Sequence, residues 1–379
     1  HLTSPSSPPP KERTCCQKTN DSERVVVMSN EKNFSRMTDI PISLSQVTLG
    51  WLEQQLRDAG HSIPEIISFA HEPMDGFTGA MGEVGIFTVE WGEGQSEDLP
   101  EAFVAKCPLD DDIARMYNEV MQYYIRESGF YADLRDEIDM RIPKCWVNRF
   151  DHETGRAFLL LEYLGHAEKG DILQGCSVEI MKDLIRDLAR MHGKFWMDER
   201  LLDIPWLIDW KAENLKLGID ITRQSWKALA EQEPDRYPRD LFEVLEKTWV
   251  FNTIEWLDRY AARPWTLTHM DYELDNVLID GKGPIVLDWQ SPMRSHPGVD
   301  LAWLLAASHS PETLEIETQL LDLYRETLVS SGGPNWSREE LEEALAWGIL
   351  YPVSCQAVPY LQDVTAYGDG ADRMHRRFE

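Results

Sequence analysis

The chain lacks the features that would place it in a membrane or bind it to nucleic acid. Its 379 residues contain no apolar run as long as about 18 residues, so we expect no membrane span. Basic residues are scarce, with 37 lysines and arginines against 66 aspartates and glutamates. The resulting net charge of −29 would repel a nucleic-acid backbone or an anionic membrane surface, so we predict neither as a partner.

Cysteine is scarce too, with six residues and no C-x-x-C spacing. Four of the six lie in or beside apolar runs, namely Cys107, Cys145, Cys176 and Cys355. This favours buried free thiols over a disulfide framework or a metal site. The N-terminus also shows no basic-then-apolar signal pattern, and we therefore predict a cytoplasmic protein.

Residues 1–43 have little apolar surface to bury. Positions 4–10 are rich in serine and proline, and positions 25–27 form the only apolar cluster of this segment. Such a composition cannot offset the entropy lost on ordering, so we predict a disordered tail over residues 1–43. The whole chain is nevertheless 42% hydrophobic with 14 tryptophans, which is enough to build a large core.

The most informative stretch is residues 266–290, which read TLTHMDYELDNVLIDGKGPIVLDWQ. This stretch contains an H-x-D-x-x-x-x-N pattern formed by His269, Asp271 and Asn276. Two apolar runs joined by Gly-Lys-Gly-Pro follow, and a hairpin of these runs would bring Asp288 to the same place. Phosphoryl transfer needs such a set, because one Asp orients the attacking hydroxyl and accepts its proton while an Asn and a second Asp hold Mg²⁺.

A glycine-rich segment lies in the N-terminal half of the chain. It reads GFTGAMG at 76–82 and separates predicted strands at 63–70 and 85–91. Glycines between two strands allow backbone N–H groups to approach phosphate oxygens, which makes Gly79 and Gly82 candidate phosphate contacts. An ordinary glycine hairpin is the alternative interpretation.

Residues 266–290 resemble the catalytic loop and metal-binding Asp of the aminoglycoside phosphotransferase and choline kinase superfamily. The Asp-Trp-Gln sequence at 288–290 is most similar to the ecdysteroid-kinase-like branch. Met270 differs from the Gly that usually lies between the His and the Asp of this loop. We expect this difference to be tolerated.

The resemblance implies an α+β, two-lobed protein-kinase-like fold. Its small N-terminal lobe has an antiparallel sheet plus a helix, and its larger C-terminal lobe is mainly helical. We therefore expect a nucleotide-binding lobe at residues 44–161, a hinge at 162–166, and a catalytic and acceptor-binding lobe at 167–379. The implied cofactors are ATP and Mg²⁺.

The resemblance also implies a role for Lys106, which ends the apolar strand predicted at 102–106. Its ammonium group would contact the α- and β-phosphates of the nucleotide. The helix predicted at 111–135 would supply its ion-pair partner. Glu127 is the preferred partner, because it precedes Phe-Tyr as in the branch, and Glu119 is the alternative.

The other implied contacts divide between the nucleotide and the metal. The backbone of Glu162, Tyr163 and Leu164 would bind the edge of the adenine. Asn276 and Asp288 would bind Mg²⁺.

The reacting groups and the acceptor follow from the segment around the motif. Asp271 would act as the base, and His269 would hold the loop by hydrogen bonding. Only 12 positions separate Asp288 from Asp300, which leaves no room for the long activation segment of a protein kinase. We therefore expect a small-molecule alcohol as acceptor, with Asp300 capping the next helix or bracing the loop and His192 in the core.

The acceptor pocket would lie among predicted helices at 205–262. Aromatic residues at helical spacing are usually core, but this region walls the acceptor pocket of the superfamily. Its tryptophans are therefore candidate substrate contacts: Trp206, Trp210, Trp226, Trp249 and Trp256. A cationic acceptor and a bulky apolar alcohol such as a steroid are both compatible with this composition, and the branch slightly favours the second.

Two other functions are alternatives to an ATP-dependent small-molecule kinase. One is a catalytically inactive nucleotide-binding module of the same fold. The other is a metal-dependent hydrolase using His269, Asp271 and Asp288, which would leave Lys106 unexplained. We favour the kinase because the motif, the later Asp, the strand Lys and the glycine segment occur together in the expected order.

Overall fold

The computed structural model describes residues 25–28, 40–74, 82–94, 99–109, 115, 118, 120–232 and 254–355. Within them the strands are β1 (Val25–Met28), β2 (Ile66–Pro73), β3 (Gly82–Trp91), β4 (Ala102–Pro108), β5 (Cys145–Phe150), β6 (Ala157–Glu162), β7 (Glu168–Lys169), β8 (Thr266–Thr268), β9 (Val277–Asp280), β10 (Gly283–Val286) and β11 (Met293–Ser295). The helices are α1 (Leu49–Asp58), α2 (Tyr123–Gly129), α3 (Val178–Lys194), α4 (Glu213–Gln232), α5 (Ile254–Ala261), α6 (Gly298–Ala307), α7 (Pro311–Glu315), α8 (Glu317–Ser330), α9 (Arg338–Gly348) and α10 (Leu350–Cys355).

The N-terminal part folds into one antiparallel sheet with strand order β1-β2-β3-β4-β6-β5. Alternate side chains along each strand point to one face, and there Phe69, Phe87, Phe103 and Phe158 are almost fully buried. Helix α1 covers this face, and Trp51 makes an edge-on contact with Phe158 at 4.9 Å between ring centroids. This lobe therefore has its own hydrophobic core.

Two parts of the range 1–43, predicted to be disordered, are ordered. Strand β1 pairs with β2 in the register Val27↔Phe69, and Ile40 is buried in the core of the N-terminal lobe. The prediction of a wholly disordered tail was therefore wrong. Strand β1 satisfies its backbone hydrogen bonds at the edge of a sheet formed by residues far along the chain, and local composition cannot report such a partner.

The helix predicted at 111–135 differs in its bounds. Helix α2 ends at Gly129. A π-helical segment, Phe130–Leu134, and a 3₁₀ turn, Arg135–Glu137, follow it directly. Gly129 allows a close approach, because a Cβ atom there would lie 2.4 Å from the Trp206 ring. In the π-helical segment Phe130 and Leu134 are buried in the core, and Tyr131 lines the cavity described below.

The C-terminal part is mainly helical and is organised around α3. Ser177 caps this helix by accepting the N–H of Ile180, and the apolar residues of the helix recur at helical spacing. Helix α8 packs on α3, and His192 of α3 donates to or accepts from the Tyr324 hydroxyl at 2.8 Å. His192 is fully buried, which confirms the prediction of a hydrogen-bonded core histidine. No helix in the described part of the chain has the length and apolar character needed to cross a membrane.

Candidate active site

Lys106 lies at the centre of a group of charges between the two lobes. Strand β4 carries it, and its Nζ atom lies 2.9 Å from a carboxylate oxygen of Glu127 and 2.9 Å from Oδ1 of Asp288. The ion pair predicted between Lys106 and Glu127 is thus present, whereas Glu119 lies outside the described residues. Burial alone would lower the pKa of Lys106, but the carboxylates of Asp288 and Glu127 outweigh it and raise this pKa above its ordinary range.

The hairpin of β9 and β10 brings Asn276 and Asp288 together. Its strands pair in the register Val277↔Val286, and the N–H of Leu287 donates to the carbonyl of Asn276 at 2.8 Å. Asn276 directly precedes β9 and Asp288 directly follows Leu287, so the two side chains meet at one end of the hairpin. The sequence predicted this hairpin, and its presence is confirmed.

Asp271 is held by Asn276 within the same loop. The amide nitrogen of Asn276 donates to Oδ2 of Asp271 at 2.8 Å and to the carbonyl of Asp271 at 3.0 Å. Because the amide nitrogen serves Asp271, the amide oxygen is the atom of Asn276 suited to bind a cation.

His269 and Asp300 brace the loop from below. Both ring nitrogens of His269 are engaged: Nδ1 accepts the N–H of Asp271 at 3.3 Å, so Nε2 carries the proton and donates to the carbonyl of Leu287 at 2.9 Å. The carboxylate of Asp300 accepts the main-chain N–H groups of His269 and Met270 at 2.7 Å each. The prediction that Asp300 braces the loop is confirmed.

Two residues of this region have left-handed backbone conformations. Met270 has φ 72° and Asp288 has φ 59°. Such values are uncommon for residues other than glycine and cost free energy unless the surroundings impose them. Met270 occupies the position where Gly is usual, and the bond from its N–H to Asp300 helps to impose this conformation.

A cavity of about 480 Å³ lies between the sheet and the hairpin. Of the residues singled out from the sequence, seven besides Lys106 line it: Gly82, Glu127, Glu162, Tyr163, Leu164, Asn276 and Asp288. Apolar side chains form much of its wall, including those of Val84, Val104, Leu161, Leu278 and Leu287. A flat aromatic group fits such a wall, because apolar surface on both faces excludes water from it.

Not every predicted site residue lines the cavity. Gly79 lies outside the described residues, so its predicted contact has no structural counterpart here. Asp271 and His269 are not among the residues that line the cavity, although Asp271 is hydrogen-bonded to Asn276, which does line it.

Among the cavity residues that were not predicted from the sequence are Tyr131, Lys169 and Asp275. Asp275 directly precedes Asn276 in the motif, which was a signal that we did not use. Lys169 reaches the cavity because β7 pairs with β9 in the register Lys169↔Leu278. No pattern in the neighbouring residues predicts this pairing.

The segment that joins the two lobes follows β6. The N–H of Glu162 donates to the carbonyl of Lys144 at 2.8 Å, and the Glu162 carboxylate accepts the N–H of Lys144 at 3.1 Å. Leu164 is buried, and its carbonyl accepts the N–H of Ala167 at 2.9 Å. These bonds hold the segment's backbone along one edge of the cavity.

Three of the five candidate tryptophans belong to the core. Trp206, Trp210 and Trp226 are 7%, 4% and 3% exposed. Trp249 lies outside the described residues. Trp256 is partly buried and carries the guanidinium of Arg259 over its ring at 5.1 Å. Trp206 and Trp210 precede helix α4 and Trp226 lies within it, so the helix predicted from residue 205 begins later, and the burial of all three rings assigns them to the core.

A sequence comparison identifies the class to which this site belongs. Residues 113–341 match the Phosphotransferase enzyme family (APH), a match that covers more than half of the chain. The chain therefore belongs to this family. A comparison with curated proteins found no match.

Two solved structures show the same fold. The first, a Ralstonia eutropha protein assigned to the aminoglycoside phosphotransferases, is 17% identical with a TM-score of 0.50, and the alignment covers 87% of this chain and 95% of that one. The second, choline kinase from Cryptosporidium parvum, is 13% identical with a TM-score of 0.52, and the alignment covers 81% of this chain and 87% of that one. The expected two-lobed protein-kinase-like fold is confirmed.

Proposed function

We propose that this chain is an ATP-dependent kinase that transfers the γ-phosphoryl group to a hydroxyl of a small organic molecule. The observation that carries this proposal is the position of Lys106, 2.9 Å from both Glu127 and Asp288 in a cavity that Asn276 also lines. A cation, an oxygen donor pair and an apolar slot in one cavity suit a nucleoside triphosphate. Membership of the phosphotransferase family supports the same activity.

In this proposal the nucleotide lies between a lobe at 44–161 and a lobe at 167–379. The adenine ring would fill the apolar slot, with its edge against the backbone of the hinge at 162–166. Lys106 would bind the α- and β-phosphates, and Glu127 would hold Lys106 in position. Gly79 and Gly82 would bring backbone N–H groups to the phosphates.

Asn276 and Asp288 would hold Mg²⁺. Their amide and carboxylate oxygens are hard donors of the kind that Mg²⁺ prefers, and their positions at one end of the hairpin fit a shared ion. When bound, the ion neutralises charge that develops on the phosphates. Among the described residues, no group of three or more His, Cys, Asp or Glu side chains is arranged to hold a metal ion.

Asp271 would orient the acceptor hydroxyl and take its proton. The hydroxyl O–H bond breaks, a new O–P bond forms to the γ-phosphorus, and the bond from that phosphorus to the β–γ bridging oxygen breaks to release ADP. Asn276 aims the Asp271 carboxylate, and His269 fixes the loop through its two hydrogen bonds. His269 would therefore act by positioning rather than by transferring a proton.

We infer that the acceptor is a bulky neutral alcohol, as in the ecdysteroid-kinase-like branch. Next to Asp271, Met270 joins an apolar cluster with Trp210 and Tyr260. Two of the partly buried aromatic rings in this cluster already carry a guanidinium, since Arg259 lies over Trp256 and Arg263 lies 4.4 Å from the Trp347 ring centroid. A cationic acceptor would have to compete with these arginines, whereas an apolar alcohol would extend the cluster.

The test is substrate-dependent ADP release with purified protein. A library of small alcohols, weighted toward steroids but including aminoglycosides and choline, would be screened with ATP and Mg²⁺. Asp271→Asn keeps the size of the side chain and removes the base, so it should abolish turnover and leave nucleotide binding intact. Asp183→Asn makes the same change at an exposed residue of α3 and should leave turnover unchanged.

Each outcome has a distinct meaning. Turnover that is unchanged in Asp271→Asn would contradict the assigned mechanism. Nucleotide binding by the wild type without turnover of any alcohol would favour the inactive nucleotide-binding module. Stoichiometric zinc in the purified protein would favour the hydrolase instead.

A further inference from the structure

A second cation, Arg126, is buried directly beside the charge group described above. It lies in α2 next to Glu127, and its relative exposure is only 1%. Its Nε and Nη2 atoms donate to the carbonyl of Pro292 at 3.1 and 2.8 Å, and Nη2 also donates to the carbonyl of Ser291. Its Nη1 atom donates to the carbonyl of Met121 at 3.0 Å. Among the described residues, the hydrogen-bond partners of this guanidinium are all main-chain carbonyl oxygens.

These bonds join the two chain segments that deliver carboxylates to Lys106. Glu127 is the neighbour of Arg126 in α2, and Asp288 lies three positions before Ser291. Arg126 therefore connects α2, which contains Glu127, to the segment that contains Asp288. The connection spans 165 positions of sequence between Arg126 and Ser291.

A stacked aromatic pair makes a second link between the same segments. The rings of Phe130 and Trp289 lie parallel, 4.0 Å apart between centroids and at an interplanar angle of 5°. Trp289 also contacts the ring of His269 edge-on at 4.6 Å. Packing thus restrains the distance between α2 and the Asp288 segment, while Arg126 fixes their register through directional bonds.

We propose that Arg126 is a positioning residue that keeps Glu127 and Asp288 together on Lys106. The proposal rests on the proposed function, because it treats this trio as the phosphate-binding group of a kinase. Arg126 is buried and is not among the residues that line the cavity, so it would act through the positions of Glu127 and Asp288. With α2 tied in this way, the Lys106–Glu127 pair would be formed at all times rather than assembled by a regulatory movement of the helix.

The chemistry of the side chain explains why arginine occupies this position. A planar guanidinium presents several N–H donors in a rigid fork, so one side chain can bind carbonyls from two segments at once. Burial lowers the pKa of Arg126 to about 10, which still leaves it charged at neutral pH. A lysine ammonium is a point charge with three rotatable donors, and it lacks the rigid fork that fixes the relative positions of these carbonyls.

The experiment is a double-mutant cycle on nucleotide affinity. Arg126→Lys keeps the charge and removes the fork, and it should raise the Kd for an ATP analogue about tenfold, within the range of coupling expected for one network. Glu127→Gln should raise the Kd by a similar factor. If Arg126 acts through this trio, the double variant should be little weaker than Glu127→Gln alone. Additive effects, about a hundredfold in the double variant, would overturn the proposal.

Arg135→Lys is the matched control. Arg135 also donates to a main-chain carbonyl, that of Ile142 at 3.0 Å, but its bond does not connect α2 with the Asp288 segment. This variant should bind nucleotide like the wild type. A Kd raised as much as in Arg126→Lys would mean that any arginine lost near α2 has this effect, and the proposal would fail.

Amide hydrogen exchange separates this proposal from the proposed function. Arg126→Lys should speed exchange of residues 286–292 and 120–127 in the absence of any nucleotide, because the bonds that tie them are lost. If the wild type binds no nucleotide, the proposed function fails, but the exchange result still tests whether Arg126 holds the two segments together. Exchange rates equal to those of the wild type would overturn the positioning role of Arg126.

Discussion

The carboxylate of Asp300 accepts the N–H of Met270 at 2.7 Å, and Met270 lies in the left-handed backbone region with φ 72°. The Met270 side chain is 1% exposed and packs in a cluster with Trp210 and Tyr260. A hydrogen bond below the loop and apolar packing beside it thus stabilise a conformation that methionine rarely adopts. The loop that carries Asp271 depends on both.

Glycine at position 270 should be less disruptive than alanine. Both variants lose the buried side chain and should be less stable than the wild type by about 2–5 kcal/mol. Alanine keeps the strain of a positive φ, whereas glycine releases it, so Met270→Gly should be more stable than Met270→Ala by about 1 kcal/mol. Urea unfolding of the two variants measures this difference. The usual order, with alanine the more stable, would show that the left-handed conformation is not costly here.

Replacing Glu127 by glutamine should weaken catalysis through Lys106. The substitution removes one of the two carboxylates at 2.9 Å from Nζ and so lowers the pKa of Lys106. We expect kcat/KM for the nucleotide to fall about 10- to 100-fold, as for the loss of a buried charge-assisted hydrogen bond. Glu137→Gln removes an exposed partner of Arg200 at 3.2 Å and should have no effect. Equal kinetics for wild type and Glu127→Gln would exclude this role.

Alanine at position 129 should destabilise the protein although alanine favours helices. Its Cβ atom would lie 2.4 Å from the Trp206 ring, which is itself held by a bond from Nε1 to Asp133 at 2.6 Å. Forcing this ring to move should destabilise the protein by about 1–3 kcal/mol. This exceeds the stabilisation expected from the higher helix propensity of alanine.

Gly50→Ala is the control for Gly129→Ala. Gly50 lies in α1, and no atom is within 4 Å of a Cβ built there, so alanine should stabilise by about 0.5–1 kcal/mol. Thermal unfolding should therefore shift in opposite directions for the two variants. Shifts of the same sign would contradict the packing described for Gly129.

Acid should destabilise the protein partly through His296. Its ring is 3% exposed, its Nδ1 accepts the N–H of Gly298 at 3.3 Å, and burial lowers its pKa to about 3. The unfolded chain binds a proton below about pH 6.5 while the folded chain does not, so this contribution is complete above that pH and is lost as the pH falls toward 3. The free energy of unfolding should fall by about 1.4 kcal/mol per pH unit in this window from His296 alone.

Urea unfolding between about pH 7 and pH 5 measures this slope. His296→Asn retains a hydrogen-bond acceptor for Gly298 and removes the titrating group, so its slope should be shallower than that of the wild type. Identical slopes would mean that His296 is not held neutral in the folded protein.

The parts of the site that were predictable are those written in neighbouring residues. The β9–β10 hairpin follows from two apolar runs around a Gly-Lys-Gly-Pro turn, and it alone brings Asn276 beside Asp288. Outside the site, the capping box of Ser337 and Glu340 at the start of α9 is also closed by residues three positions apart. Such features can be predicted without knowing the tertiary structure, because their hydrogen bonds join residues that are close in sequence.

The unpredicted parts depend on partners that are distant in sequence. Strand β1 exists because the edge of β2 offers it hydrogen bonds, and Lys169 reaches the cavity because β7 pairs with β9. The burial of Trp206, Trp210 and Trp226 likewise depends on distant residues, as in the bond from Nε1 of Trp210 to the hydroxyl of Ser295 at 2.7 Å. Composition and periodicity cannot separate a core tryptophan from one that lines a pocket.

The sequence by itself determined which chemical groups the site contains and their order along the chain. Two aspartates and an asparagine between them lie within 18 positions of one another, from 271 to 288. Only the tertiary structure decided that Lys106 meets Asp288 across 182 positions and that Asp300 holds Met270 in a left-handed conformation. Charge pairs and backbone strain are settled by distances of a few ångströms, and the fold alone sets those distances.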